Sequence, residues 1–202
     1  MNVIKSFIET NKYSRPGYGR HGTRAIAVHW NEYLNATGVQ VRDYFDSLKF
    51  GKQDWKNNIT YGSTQFCIGI RGDIVQTMGI NEEAYHVGSD RPYKEGAKEC
   101  YTPLAQSLFP EYCNSSTSPN KVVIGIELGH IDWKGTMTSD TLDSAVELCA
   151  WLCRYYGLMP ESRLLRHYDI VGWKKCPLLF VEDEAEWTKF KGEVGKKLYD
   201  RM

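Results

Sequence analysis

Residues 122–128, Val122-Val123-Ile124-Gly125-Ile126-Glu127-Leu128, are apolar without a break except for one glutamate. A short continuous run of this kind reads as a buried strand. The stretch Thr23-Arg24-Ala25-Ile26-Ala27-Val28-His29-Trp30 reads the same way and closes on a histidine. Strands buried this fully need cover, and the chain supplies it. Residues 139–156 set Leu142, Ala145, Cys149, Leu152 and Tyr156 on one helical face, with Val146 and Cys153 beside them. Gly157 follows as a C-cap and Pro160 as a stop. Residues 182–200 predict a final helix, acid-rich at its start and lysine-rich near its end, as the helix dipole prefers. Residues 36–49 carry Val39, Val41, Tyr44, Phe45 and Leu48 at helical spacing. Residues 65–70 and 73–78 predict a hairpin turning at Arg71-Gly72-Asp73. Strands and helices mix without strict alternation, so the expected fold is α/β, a mixed central β-sheet flanked by α-helices. Residues 89–121 show little regular pattern and contain Pro92, Pro103, Pro110 and Pro119. A loop so long is expected to form a binding wall or lid.

The length of 202 residues suits one domain spanning 1–202. Lysine plus arginine balances aspartate plus glutamate at 25 each, which argues against a nucleic-acid partner, because phosphate contacts need surplus basic charge. The longest apolar runs are too short for stable membrane insertion. The start, Met1 to Glu9, lacks an apolar core followed by a small-residue cleavage site, so synthesis in a cytoplasm without a signal peptide is expected. In that compartment six cysteines are expected mostly as free thiols. Cys149 and Cys153, four apart on a helical face, read as buried packing residues, and a Cys100–Cys113 disulfide is the less favoured alternative.

The chemistry concentrates in Arg166-His167-Tyr168-Asp169-Ile170-Val171-Gly172-Trp173-Lys174-Lys175-Cys176-Pro177. Imidazole and thiolate are both zinc ligands, and His29 is the candidate third. Three protein ligands with an open fourth position describe a hydrolytic zinc site. Glu127 needs a reason to sit in an apolar strand: general acid–base work in an apolar surround, pairing with an arginine, or exposure at the strand end. Lys174 is placed to stabilise an oxyanion, whereas Lys175 reads as solvated. His86, in Tyr85-His86-Val87-Gly88, is a candidate substrate hydrogen-bond partner. Tyr168, Asp169 and Trp173 are expected to shape the ligand loop, and His21 and His130 to lie on the surface.

In this order the motifs resemble the zinc-dependent N-acetylmuramoyl-L-alanine amidase family of type 2, related to peptidoglycan recognition proteins. The resemblance covers roughly residues 20–180: the strand ending in His29, Gln65-Phe66-Cys67-Ile68-Gly69-Ile70, Tyr85-His86-Val87-Gly88, Ile124-Gly125-Ile126-Glu127, and His167 through Pro177. It implies one zinc ion held by His29, His167 and Cys176, with Glu127 as the catalytic carboxylate and Lys174 as the cationic partner. Many members carry histidine where this chain has Gln65, and some short phage amidases carry a catalytic tyrosine where Thr64 falls. Threonine cannot act as a phenolic donor, which places more of the proton chemistry on Glu127.

The resemblance further implies cleavage of the amide between N-acetylmuramic acid and L-alanine in bacterial peptidoglycan, glycan strand plus stem peptide, by a monomeric cell-wall-lytic endolysin of phage or prophage type. Release to the wall by a separate permeabilising protein would account for the missing signal. The alternatives are a non-catalytic peptidoglycan-binding module on the same fold, a cytoplasmic muropeptide-recycling amidase, and a zinc hydrolase of another amide.

Overall fold

The two apolar runs become neighbouring parallel strands at the heart of one sheet. The computed structural model describes residues 1–200. In chain order the elements are β1 (Val3–Lys5), β2 (Ala25–Leu34), α1 (Gly38–Ser47), β3 (Phe66–Ile68), β4 (Ile74–Gln76), α2 (Pro103–Leu108), β5 (Val123–His130), α3 (Ser139–Tyr156), α4 (Pro160–Arg163), β6 (Leu164–Arg166), α5 (His167–Val171), α6 (Leu178–Glu182) and α7 (Glu184–Tyr199). The sheet order is β1-β4-β3-β5-β2-β6. Every neighbouring pair is parallel except the β3–β4 hairpin. This is the mixed central sheet flanked by helices that the sequence predicts.

Alternation along each strand decides what faces what. Ile26, Val28, Ile124 and Ile126 point to one face, where α3 and α7 cover them with Leu148, Leu152, Trp187 and Phe190. Ala25, Ala27 and Val123 point to the other, against Tyr101, Ala105, Phe109 and Ile170. His29 and Glu127 continue this second row, and β2 runs past His29 to Leu34 rather than ending there as the sequence suggests, with its register against β5 shifting after Trp30. In open α/β sheets ligands collect toward the C-terminal ends of parallel strands.

Local chemistry sets the helix ends. The Thr138 hydroxyl accepts the amide of Thr141 at the start of α3, and Gly157, with φ of 66°, ends the helix as predicted. The carboxylate of Asp183 accepts the amides of Ala185 and Glu186 and starts α7. That cap moves the start of the final helix to Glu184, leaving residues 178–182 as the separate α6. Pro160 opens α4 rather than only stopping α3, because a missing N–H costs nothing at a first helical position.

Three further expectations change. Val39 lies exposed on α1, whose buried face is Val41 and Phe45 with Leu48 just beyond. Val39 is two residues from Val41, about 200° away around the helix. His130 is fully buried instead of on the surface. Its two ring nitrogens lie 2.6 Å from the carbonyls of Asn31 and Asp132, and its ring sits beside Trp30 and Trp133. The polar context that suggested exposure is therefore internal, with backbone oxygens replacing water. Residues 89–121 form neither lid nor wall for the most part. They contribute α2, and Tyr101, Ala105 and Phe109 are buried in the cluster beneath β2 and β5, so apolar burial decides where this segment lies. Lys175 is exposed, as read, and ion-paired with the exposed Glu182.

All six cysteines are free thiols, with Cys149 and Cys153 buried. Among the described residues no helix is long and apolar enough to cross a membrane.

Candidate metal centre

Two strands and a loop deliver the candidate ligands. β2 carries His29, and β6 runs beside it with Val28 opposite Arg166, so His167 emerges next to His29 as the first residue of α5. Cys176 returns by a short loop. Gly172 turns it with φ of 72°, where an added Cβ would also lie 2.5 Å from the carbonyl oxygen of Tyr93. The Tyr168 amide donates to the Cys176 carbonyl at 3.0 Å and closes the loop. The Cys176–Pro177 peptide is cis. Asp169 accepts the Arg166 amide at 2.8 Å and pairs with its guanidinium, which also donates to the Phe180 carbonyl and to Glu184. Asp169 thus shapes the loop by tying α5 to the elements behind it.

His29, His167 and Cys176 are all buried, and their ligand atoms lie within 4.8 Å of one another. Nδ1 of His29 is 3.1 Å from Nδ1 of His167 and 3.9 Å from Sγ of Cys176. Around a tetrahedral zinc with Zn–N near 2.0–2.1 Å and Zn–S near 2.3 Å, neighbouring ligand atoms stand roughly 3.3–3.7 Å apart. These two spacings bracket that range, and two imidazoles with a thiolate are a donor set that suits zinc in chemistry. Burial, then His167, His86 and Lys174, hold His29 well below the usual 6.5. Burial, then Lys174 and His86, do the same for His167. Neutral imidazoles offer lone pairs, which a metal needs.

Glu127 is the register partner of His29 on β5, with Cys67 opposite it on β3. Burial first, and Glu127 second, push the Cys67 thiol well above its ordinary value, so Cys67 stays protonated beside the carboxylate. His29, Glu127, His167, Lys174 and Cys176 open into a single cleft of about 870 Å³. His86 also lines it. Its Nδ1 lies 3.0 Å from Nε2 of His29, and its Nε2 lies 3.2 Å from the Val123 carbonyl. Burial pushes its pKa down to about 3, against the raising effect of the Val123 bond.

Thr64 and Gln65 do not line the cleft. The Thr64 hydroxyl donates to the Phe66 carbonyl. The Gln65 amide accepts from the Gly125 N–H at 2.7 Å and donates to the Glu82 carbonyl, extending the ladder beyond β3. Sequence reasoning missed Tyr33, Tyr44, Tyr61 and Tyr85, which wall the cleft together with Trp173. For Tyr33 and Tyr61 the only signal was aromatic abundance, which a core explains equally well, whereas Tyr44 was read as part of a helical face and Tyr85 adjoins His86 in its motif. Of residues 89–121, Asn120 is the only one lining the cleft among the described residues.

Residues 20–178 match the family model for N-acetylmuramoyl-L-alanine amidase, and the chain belongs to that family. Among curated relatives, it is 28% identical over 198 residues to the N-acetylmuramoyl-L-alanine amidase CwlL of Bacillus licheniformis, covering 98% of this chain and 48% of that protein. It is 28% identical over 193 residues to the N-acetylmuramoyl-L-alanine amidase BlyA of Bacillus subtilis (strain 168), covering 96% of this chain and 47% of that one. The chain therefore spans about half the length of the curated relatives it matches. Among solved structures, PlyL superposes with a TM-score of 0.68 at 18% identity, over 98% of this chain and 99% of that one. The catalytic domain of XlyA superposes with a TM-score of 0.65 at 22% identity, over 96% of this chain and 100% of that one. At these identities the likeness is one of fold.

Proposed function

We propose that this chain is a single catalytic domain that hydrolyses the amide between N-acetylmuramic acid and L-alanine in peptidoglycan, with one zinc ion held by His29, His167 and Cys176. The observation that carries the reading is the placement of Glu127 beside His29, in the cleft onto which all three ligands open. When bound, zinc supplies Lewis acidity, polarising a carbonyl and making water a better nucleophile at neutral pH. The protein's own groups do the rest. Glu127 takes a proton from the attacking water as its oxygen bonds the lactyl carbonyl carbon. As the C–N bond breaks, Glu127 returns that proton to the departing alanine nitrogen. Lys174 offers an ammonium to the oxygen that gains negative charge between those events. Tyr61 and Trp173, exposed along the cleft, present flat faces on which a glycan can stack.

The proposed place of action is the bacterial wall, as a lytic enzyme of endolysin type. N-terminal analysis of digested peptidoglycan tests this directly. New N-terminal alanine, suppressed by a zinc chelator, is expected. Wall binding without new alanine ends would replace the enzyme with a binding module on the same fold.

A further inference from the structure

His86 belongs to no catalytic step above, yet it is held on every side. Its backbone amide and that of Val87 both donate to Oδ1 of Asn120, at 3.1 and 2.8 Å. Its ring lies over Gly125, where an added Cβ would come within 2.8 Å of Nδ1. Gly125 stands between Val123 and Glu127 on the face of β5 that carries the site. The missing side chain leaves room there for an imidazole.

The hydrogen bonds then run in one direction. The Val123 carbonyl can only accept, so Nε2 of His86 carries the proton. A neutral ring protonated at Nε2 has an acceptor at Nδ1. That acceptor faces Nε2 of His29 at 3.0 Å, so His29 donates from Nε2 and keeps its lone pair on Nδ1. Nδ1 is the atom that faces His167 and Cys176. Both ring nitrogens of His86 are thereby committed to protein partners, with neither left for substrate.

We propose that His86 is a positioning residue which, braced by the Val123 carbonyl and the Gly125 gap, fixes His29 in its Nε2–H tautomer and so prepares Nδ1 for the metal. The role in metal binding rests on the zinc reading above, whereas the role in setting the tautomer does not. Such outer partners of a ligating histidine typically change metal affinity by about 10–100-fold.

The experiment has two parts. Nitrogen-15 spectra of the zinc-free wild-type protein report the His29 tautomer, with Nε2–H expected. Zinc affinity is then measured by chelator competition on folded His86→Leu, His86→Asn and Gly125→Ala proteins. Leucine removes the acceptor, whereas the asparagine side-chain oxygen can occupy the place of Nδ1. We expect His86→Leu to bind zinc roughly 10–100-fold more weakly. Gly125→Ala, which displaces the ring, should also bind more weakly, and His86→Asn should recover most of the affinity. An Nδ1–H tautomer on wild-type His29 overturns the proposal, even if the variants do not fold. Equal losses in His86→Leu and His86→Asn also overturn it, since a purely structural role would give that result. So does lost turnover in His86→Leu with zinc affinity unchanged, because His86 would then act on substrate. A wild-type protein that takes up no zinc sinks the zinc reading and the metal-affinity part of the proposal. The His29 spectrum still decides the tautomer part.

Discussion

His29 and Glu127 are register partners on adjacent parallel strands, β2 and β5. Partners in neighbouring strands stand about 4.8 Å apart, with side chains on the same face. One strand pairing therefore places a candidate metal ligand beside a candidate proton carrier without help from any loop.

Removing the carboxylate should separate chemistry from construction. Glu127→Ala is expected to keep its fold and its zinc while losing turnover by about 10²–10⁴-fold, the usual contribution of a general base. Circular dichroism, zinc content and amidase rate together check this. Wild-type turnover in the variant would assign the proton transfer to another group.

The thiolate is expected to matter for metal retention. Cys176→Ser should weaken zinc binding, because a serine hydroxyl does not ionise at neutral pH and is a poor ligand. Zinc content after dialysis against a chelator reads the effect directly. Full zinc in the variant would remove Cys176 from the centre.

Lys174→Ala tests where the ammonium acts. Stabilisation confined to the transition state lowers kcat more than it raises KM, and one such donor is typically worth about 10²–10³-fold in kcat. A change in KM alone would reassign Lys174 to substrate binding.

Buried neutral histidines make the zinc-free protein acid-sensitive. His29 and His167 lie well below 6.5 in the folded state, and His86 lies at about 3. Below 6.5 the unfolded chain takes up protons at these sites and the folded chain does not, so stability falls as pH falls. The slope approaches about 1.4 kcal/mol per pH unit for each such histidine. The stability is fully present above 6.5 and is lost progressively on the way down. Denaturant titrations between pH 6.5 and 5 isolate this effect from Asp46 and Glu82, whose lowered pKa values make them titrate further into acid. A flat profile in that window would show that the three imidazoles protonate normally in the folded state.

Much of this was local and therefore legible. The runs around Ile26 and Ile124, the apolar face of α3 and its stop at Gly157 follow from side-chain period and cap chemistry within a few residues. The grouping of His29, His167 and Cys176 was suggested by residue type and by the other motifs around them, and the structure brings the three together. His130 was misread because a polar neighbourhood in sequence does not reveal whether water or backbone carbonyls surround the ring. The excursion at 89–121 was misread because its prolines and polar runs masked the i, i+4, i+8 spacing of its buried residues, Tyr101, Ala105 and Phe109, around the short helix α2.

The sequence by itself determined the two central strands, the β3–β4 hairpin, the helices α1 and α3, where α3 stops and which residue types are fit for zinc chemistry, whereas the short elements β1, β6, α2, α4, α5 and α6 were not legible in it. These depend on interactions spanning a turn or two. Only the tertiary structure decided that β2 lies between β5 and β6, and this order brings His29 against Glu127 on one side and His167 on the other. It also decided that His86, 57 residues from His29, lies behind it in the space left by Gly125. Strand order is set by how the whole apolar surface can be buried at once, and no local pattern carries that information.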